Sequence, residues 1–361
     1  MKPKIRMALL VTAVMVAACG SQPATRGSAT TLPTHPPAGI IAEFPLPTSE
    51  ISPAGITAGP DGNLWFTAST AVGDISRIGR ITPAGQISEF ALPPGIPLEI
   101  VAGPDGNLWF TEEFGKLGRV TPAGQLTEFP LPMTSGYPDS IAVGPDGNLW
   151  FTENPGNQIG RMTPAGQLTE FPLPNPKSIP NEITAGPDGN LWFTEYVDSG
   201  GRFTGNQIGR MTPTGQLTEF PLSTPGSSPA GITAGPDGNL WFTDCTSHSG
   251  THCMTSQIGR ITPTGQISEF ALPTPQSISG AITAGPDGNL WFTECSIPAS
   301  GGACNDSRIG RITPAGQISE FALPRPTSTP YRITAGPDGN LWFAEEHPGA
   351  IGRITSGKGG S

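Results

Sequence analysis

The sequence predicts an all-β chain folded as a seven-bladed β-propeller, with four antiparallel strands per blade. Three observations carry this. The eight residues GPDGNLWF occur seven times, starting at Gly59, Gly103, Gly144, Gly186, Gly235, Gly285 and Gly336, at spacings of 41 to 51 residues. Periods of this size belong to propeller blades or helical arrays, and 49 Gly and 42 Pro among 361 residues argue against helices. Each repeat also contains four short β-prone runs separated by turn signals.

The runs can be read in order. ITAG forms strand A. The Pro-Asp-Gly-Asn turn follows, with Pro fixing φ at the first corner and Gly supplying a positive φ. NLWFT forms strand B, QIGRMT strand C and QLTEFPLP strand D, with C and D joined at TPAGQ or TPTGQ. Where the loops are short this register sets Trp150 opposite Arg161 and Phe151 opposite Gly160. A Trp beside an Arg allows stacking, and a Phe can cover backbone that lacks a side chain. Seven Trp at one position read as core between blades, since large aromatics dominate burial.

The ring is expected to close through the N-terminal strand. The Glu-Phe-x-Leu signature of strand D follows a C strand six times, five times with Pro next and once with Ser223. The seventh copy, Glu43 to Pro47, precedes the first A strand, while the last unit stops after Ile351 to Thr355. Residues 40–47 should therefore complete the last blade, leaving no long open edge.

The propeller spans 40–356. Residues 1–19 read as an export signal, with basic Lys2, Lys4 and Arg6 before an apolar run, Met7 to Val16. It ends in VAAC, the pattern of a lipobox, so Cys19 is the expected lipidation site and the body is expected outside the cytoplasm, anchored to a membrane by lipid alone. Residues 20–39 are a Ser/Thr/Pro tether, and 357–361 a short tail. The net charge of −10 argues against a nucleic-acid partner and is compatible with a cation. A monomer is expected.

Strand direction separates two faces. The A–B and C–D turns share one face and are nearly identical in all units. The B–C loops and D–A links share the other, and there the copies differ, so ligand contacts are expected there. The residue after WFT or WFA on that side is Glu112, Glu153, Glu195, Asp244, Glu294 or Glu345, with Ala68 as the exception. Strand A begins nearby with Glu99, Asp139 and Glu182. Such carboxylates suit Mg²⁺ or Ca²⁺, or else pair with basic neighbours or meet solvent. Glu345 and Glu294 are the candidate metal ligands. Cys245, Cys253, Cys295 and Cys304 lie in two long B–C loops, and pairing within each loop is favoured by the short closure. A zinc site from Cys245, His248, His252 and Cys253 is the rival reading.

The phrases GPDGNLWFTE, IGRITPAGQISEFALP and SPAGITAG resemble the streptogramin B lyase (virginiamycin B lyase) family over all seven units. That resemblance implies a propeller that opens a cyclic depsipeptide by elimination, with Mg²⁺ and a His base on the variable face. It places the base at Tyr331, a second His at Gly280 and a metal-binding Glu at Thr329; only Glu345 matches. A Tyr, with a reference pKa near ~10, is a poor base at neutral pH. His347, two residues beyond Glu345, is the substitute base. The sequence thus favours a module that binds a small-molecule or protein ligand on the loop face. The alternatives are a Mg²⁺-dependent lyase and a metal-dependent lactone hydrolase.

Overall fold

The computed structural model describes residues 37–132, 136–198, 203–249, 252–296, 304–347 and 349–357. Every regular element among them is a β-strand, and the 28 strands form seven four-stranded antiparallel sheets. Blades 1 to 6 each take four consecutive strands. Their A strands are Ser52–Ala58, Pro97–Ala102, Tyr137–Val143, Ser178–Ala185, Ser228–Ala234 and Ser277–Ala284. Blade 7 joins Pro330–Ala335, Asn340–Glu345 and Ala350–Thr355 to Ile41–Pro45 from the other end of the fold. The expected closure holds. It includes the turn as well as the strand: Gly39, at φ 93°, donates to the Thr355 carbonyl at 2.9 Å. The expected export signal with Cys19 and most of the expected tether, 20–39, lie outside the described residues.

The expected register also holds, with Trp150 opposite Arg161 and Phe151 opposite Gly160. These rows set two faces on each blade. One carries Trp150, Ile159 and Phe171; the other carries Leu149 and Phe151. The core lies between blades. Trp150 and Ile159 of blade 3 pack on Ile183, Leu191, Phe193 and Met211 of blade 4. All seven Trp are fully buried.

The repeated phrase now has a physical account. Asp146 Oδ1 accepts from the Trp150 indole at 3.0 Å, and Oδ2 accepts from the Asn148 amide at 2.8 Å. The Arg161 guanidinium sits 5.5 Å from the centres of both Trp150 and Phe171 and donates to the Pro213 carbonyl of the next blade at 3.0 Å. GPDGNLW therefore locks a turn, an indole and an inter-blade tie together on the uniform face. A Cβ at Gly160 would lie 2.2 Å from the Phe151 ring, which explains the small residue there.

Candidate ligand-binding site at the channel mouth

The inner strands line an axial channel, and each carries a bulge near the variable face. In blade 3, Pro138 pairs with Glu153 and Ile141 with Phe151, so Asp139 and Ser140 together oppose Thr152. The Thr152 hydroxyl accepts from the Ser140 amide at 3.1 Å and donates to the Asn181 carbonyl of blade 4 at 2.7 Å. Thr67, Thr111, Thr194, Thr243 and Thr293 make the corresponding ties to Leu98, Asp139, Ala230, Gly280 and Tyr331. Blade 7 has Ala344 at this position and lacks the hydroxyl.

The bulges set two residues per blade at the mouth. The second of them is small in four blades, as Gly55, Ser140, Gly231 and Ala281. In the other three it is Glu99, Glu182 and Arg332. Ring closure brings these three together. The Arg332 Nε lies 2.7 Å from Glu99 of blade 2, and its Nη1 lies 2.8 Å from Glu182 of blade 4. The guanidinium also sits 5.3 Å from the centre of the Tyr331 ring. Sequence reasoning placed the two acids at the mouth but missed Arg332. The signal was a column of small residues broken by two acids and one base.

The channel holds cavities bounded by described residues. One of about 170 Å³ is lined by Asn181, Glu182, Gly231, Gly280, Tyr331 and Arg332, among others. The small residues of blades 5 and 6 make this hollow between the larger side chains of blades 4 and 7. Another, about 290 Å³, is lined by Glu99, Glu182 and the inner-strand residues that follow the bulges, such as Thr184, Thr233 and Thr283. Glu182 borders both, so the ion-paired layer separates them.

Electrostatics at the mouth are net acidic. Burial pushes Glu182 up to about 7 against the pull of Arg332, and burial also raises Glu99. Arg332, held by both acids, stays charged; the carboxylates outweigh its loss of hydration. The Arg332 cation pulls the Tyr331 phenol down. Burial and the fields of Asp139, Glu99 and Glu346 outweigh it, so the phenol is raised above its ordinary value. Tyr331 lines the smaller cavity.

Of the acids after WFT or WFA, Glu112 and Glu294 pair with the basic neighbours Lys116 and Arg308, one of the expected alternatives. Glu112, Glu153, Glu195, Asp244, Glu294 and Glu345 do not meet solvent; each is at most 4% exposed. They are held one per blade against strands C and D. Gln158 donates to Glu153 at 2.8 Å, Lys116 lies 3.1 Å from Glu112, and Ser277 donates to Glu294. Each feels the field of the strand-D acid of its own blade, as Glu195 does that of Glu219. Burial first, then the strand-D acid, pushes Glu345 up to about 7; burial likewise takes Glu153, Glu195, Asp244 and Glu294 to about 7.

Of the positions that the resemblance marks, Tyr331 and Gly280 do converge, on the same cavity wall. Glu345 is fully buried in blade 7, with neither carboxylate oxygen accepting a hydrogen bond of normal geometry, and Glu294 is buried in blade 6. His347 is exposed and lines neither cavity. The disulfides pair within loops, Cys245 with Cys253 and Cys295 with Cys304. The thiolates that a zinc site would need are thereby consumed.

The residues present do not fit the divalent ion of the family. Thr329, Gly280 and Tyr331 stand where the resemblance implies Glu and His, and a guanidinium already engages the mouth acids. Among the described residues, no group of three or more His, Cys, Asp or Glu is arranged to hold a metal.

Comparison with known proteins agrees with the blade phrasing. Virginiamycin B lyase of Saccharopolyspora erythraea is 51% identical over 41 residues, and that of Bordetella pertussis 40% over 53. These stretches span only 14% and 16% of those proteins, and 11% and 15% of this chain. The structural match is far longer. A streptogramin B lyase structure superposes with a TM-score of 0.73 at 38% identity, covering 88% of this chain and 97% of that one. A catalytically inactive His-to-Ala variant of virginiamycin B lyase from Staphylococcus aureus, solved with quinupristin, gives 0.73 at 36%, covering 88% and 99%. The model of the virginiamycin B lyase family matches residues 37–204, 200–302 and 302–359. The chain belongs to the virginiamycin B lyase family.

Proposed function

We propose that this chain is a binding propeller of that family. It is exported, anchored through a lipid on Cys19, and takes a small-molecule or protein ligand at the channel mouth without lyase chemistry of its own. The observation that carries this reading is the mouth itself: a Tyr and a Gly stand where two imidazoles would be needed, beside an Arg tied to two acids. A lyase step removes a proton next to a carbonyl and expels a carboxylate. A base must be unprotonated near neutral pH to begin it. The Tyr331 phenol is raised rather than lowered, and His347 lies outside both cavities. The cavity beside Tyr331 offers an aromatic wall, an amide at Asn181 and a cation, groups that orient a ligand.

The test is incubation of the purified protein with quinupristin and Mg²⁺. Products are followed by chromatography and fragment mass spectrometry, because elimination leaves the mass unchanged. The cyclic compound is expected to persist. Ring opening that disappears in Glu345→Gln would overturn the binding reading in favour of the lyase.

A further inference from the structure

The channel mouth gathers acids from three blades that are far apart in the chain. Glu99 comes from blade 2, Asp139 from blade 3 and Glu182 from blade 4. Opposite them stands one base from blade 7. We infer that Arg332 is the built-in cation of this site: the fold sets its guanidinium between Glu99 and Glu182, so that these carboxylates hold no metal ion while it is in place.

The geometry carries the argument. The guanidinium uses two different nitrogens on two different carboxylates, at 2.7 and 2.8 Å. It thereby bridges blades 2 and 4 from the far side of the ring, as a metal ion bridges ligands from separate elements. Asp139 adds its field to the same group. The three side chains of the bridge are about five-sixths buried, so the charges sit in a poorly screened place. Two such carboxylates without a cation would repel each other there. A guanidinium suits the role because it keeps its charge and presents donors in a rigid fork. Its stacking on Tyr331 fixes the approach. A covalent cation cannot be lost by chelation or dilution, so the site keeps its shape without metal.

The inference goes beyond the binding reading and is independent of it, since its readout is cation binding with no ligand present. In Arg332→Ala the carboxylates of Glu99 and Glu182 lose their shared partner, with the field of Asp139 still acting on the place it leaves. Carboxylate oxygens are the ligands that hard cations take. Calorimetric titration with Ca²⁺, and Tb³⁺ luminescence sensitised by Tyr331, measure the outcome. The alanine variant is expected to bind Ca²⁺ with a dissociation constant of about 10⁻⁴ M, in the range of extracellular calcium modules. That is at least about tenfold tighter than wild type. Adding Glu182→Gln should abolish the gain, and free ethylguanidinium should compete with the metal. Arg332→Lys, which restores a cation, should behave as wild type. If the alanine variant does not fold, Arg332→Gln removes the charge while keeping polar bulk, and the same titration decides. Binding by these variants no tighter than wild type overturns the inference. So does wild-type binding that is lost in Glu182→Gln.

Discussion

The hydroxyl of Thr152 donates to the carbonyl of Asn181 across the boundary between blades 3 and 4, at 2.7 Å. The same oxygen accepts from the Ser140 amide. One side chain thus pins a bulge within its blade and ties it to the next. Thr152→Val keeps the shape but strands an amide and a carbonyl, at a cost of about 1–3 kcal/mol. Blade 7 offers the converse. Ala344 stands where a Thr would meet the Arg332 amide and the Ala54 carbonyl. Ala344→Thr is expected to stabilise by about 1 kcal/mol for each bond made. Thermal unfolding checks both: the melting temperature should fall in the first variant and rise in the second.

Much of this fold was legible because a repeat states its rules several times. Seven copies of one turn and one Trp fix strand order, register and the uniform face. A stray strand-D signature at Glu43 to Pro47 reveals the closure. The site was legible only in part. The variable face can be placed from strand direction, and Tyr331 from the family resemblance. The reach of Arg332 to Glu99 and Glu182 depends on where a closed ring sets blades 2, 4 and 7, which no local pattern encodes. The acids after WFT were ambiguous for a related reason. Their position in the strand left a metal site, pairing with basic neighbours or exposure to solvent open, and in the fold they are buried carboxyls of separate blades, held by groups such as Gln158, Lys116 and Ser277.

Those buried acids make stability depend on pH. Glu153, Glu195, Asp244, Glu294 and Glu345 are each pushed up to about 7, first by burial. In the unfolded chain carboxyls ionise near about 4. Between these values the folded state holds more protons than the unfolded one, so stability falls as pH rises. The contribution is therefore fully present below about 4, is lost progressively up to about 7, and changes little above it. Melting temperatures at about pH 5 and pH 8 should differ in that sense. Glu195→Gln should raise the value at the higher pH by about 2–4 °C per kcal/mol recovered, and leave the lower one nearly unchanged. A melting temperature that rises from about pH 5 to pH 8 would contradict the burial account.

The two disulfides close short loops, with separations of 8 and 9 residues. Loops of this size correspond to about 2–3 kcal/mol of chain entropy each. Both lie in B–C extensions beyond the core rows, so the effect is expected to be local. Mild reduction should increase hydrogen exchange and proteolysis near 245–253 and 295–304 before global unfolding. Loss of the whole ring on reduction would show that the loops help to hold blades 5 and 6 together.

The phenol of Tyr331 gives the most direct reading of the mouth. The chain has three tyrosines, Tyr137, Tyr196 and Tyr331. In a Tyr137→Phe, Tyr196→Phe background, an ultraviolet absorbance titration reports Tyr331 alone. Arg332 favours the phenolate, while burial and the carboxylates of Asp139, Glu99 and Glu346 oppose it and prevail. The midpoint is therefore expected above about 10, the ordinary tyrosine value. Arg332→Met removes the one favourable charge and should move it further up. Glu346→Gln removes an opposing charge and should move it down. The two shifts have opposite signs, so a general loosening of the site cannot produce both. A midpoint below about 9 in the background protein would make a phenolate accessible near neutral pH and restore Tyr331 as a candidate base.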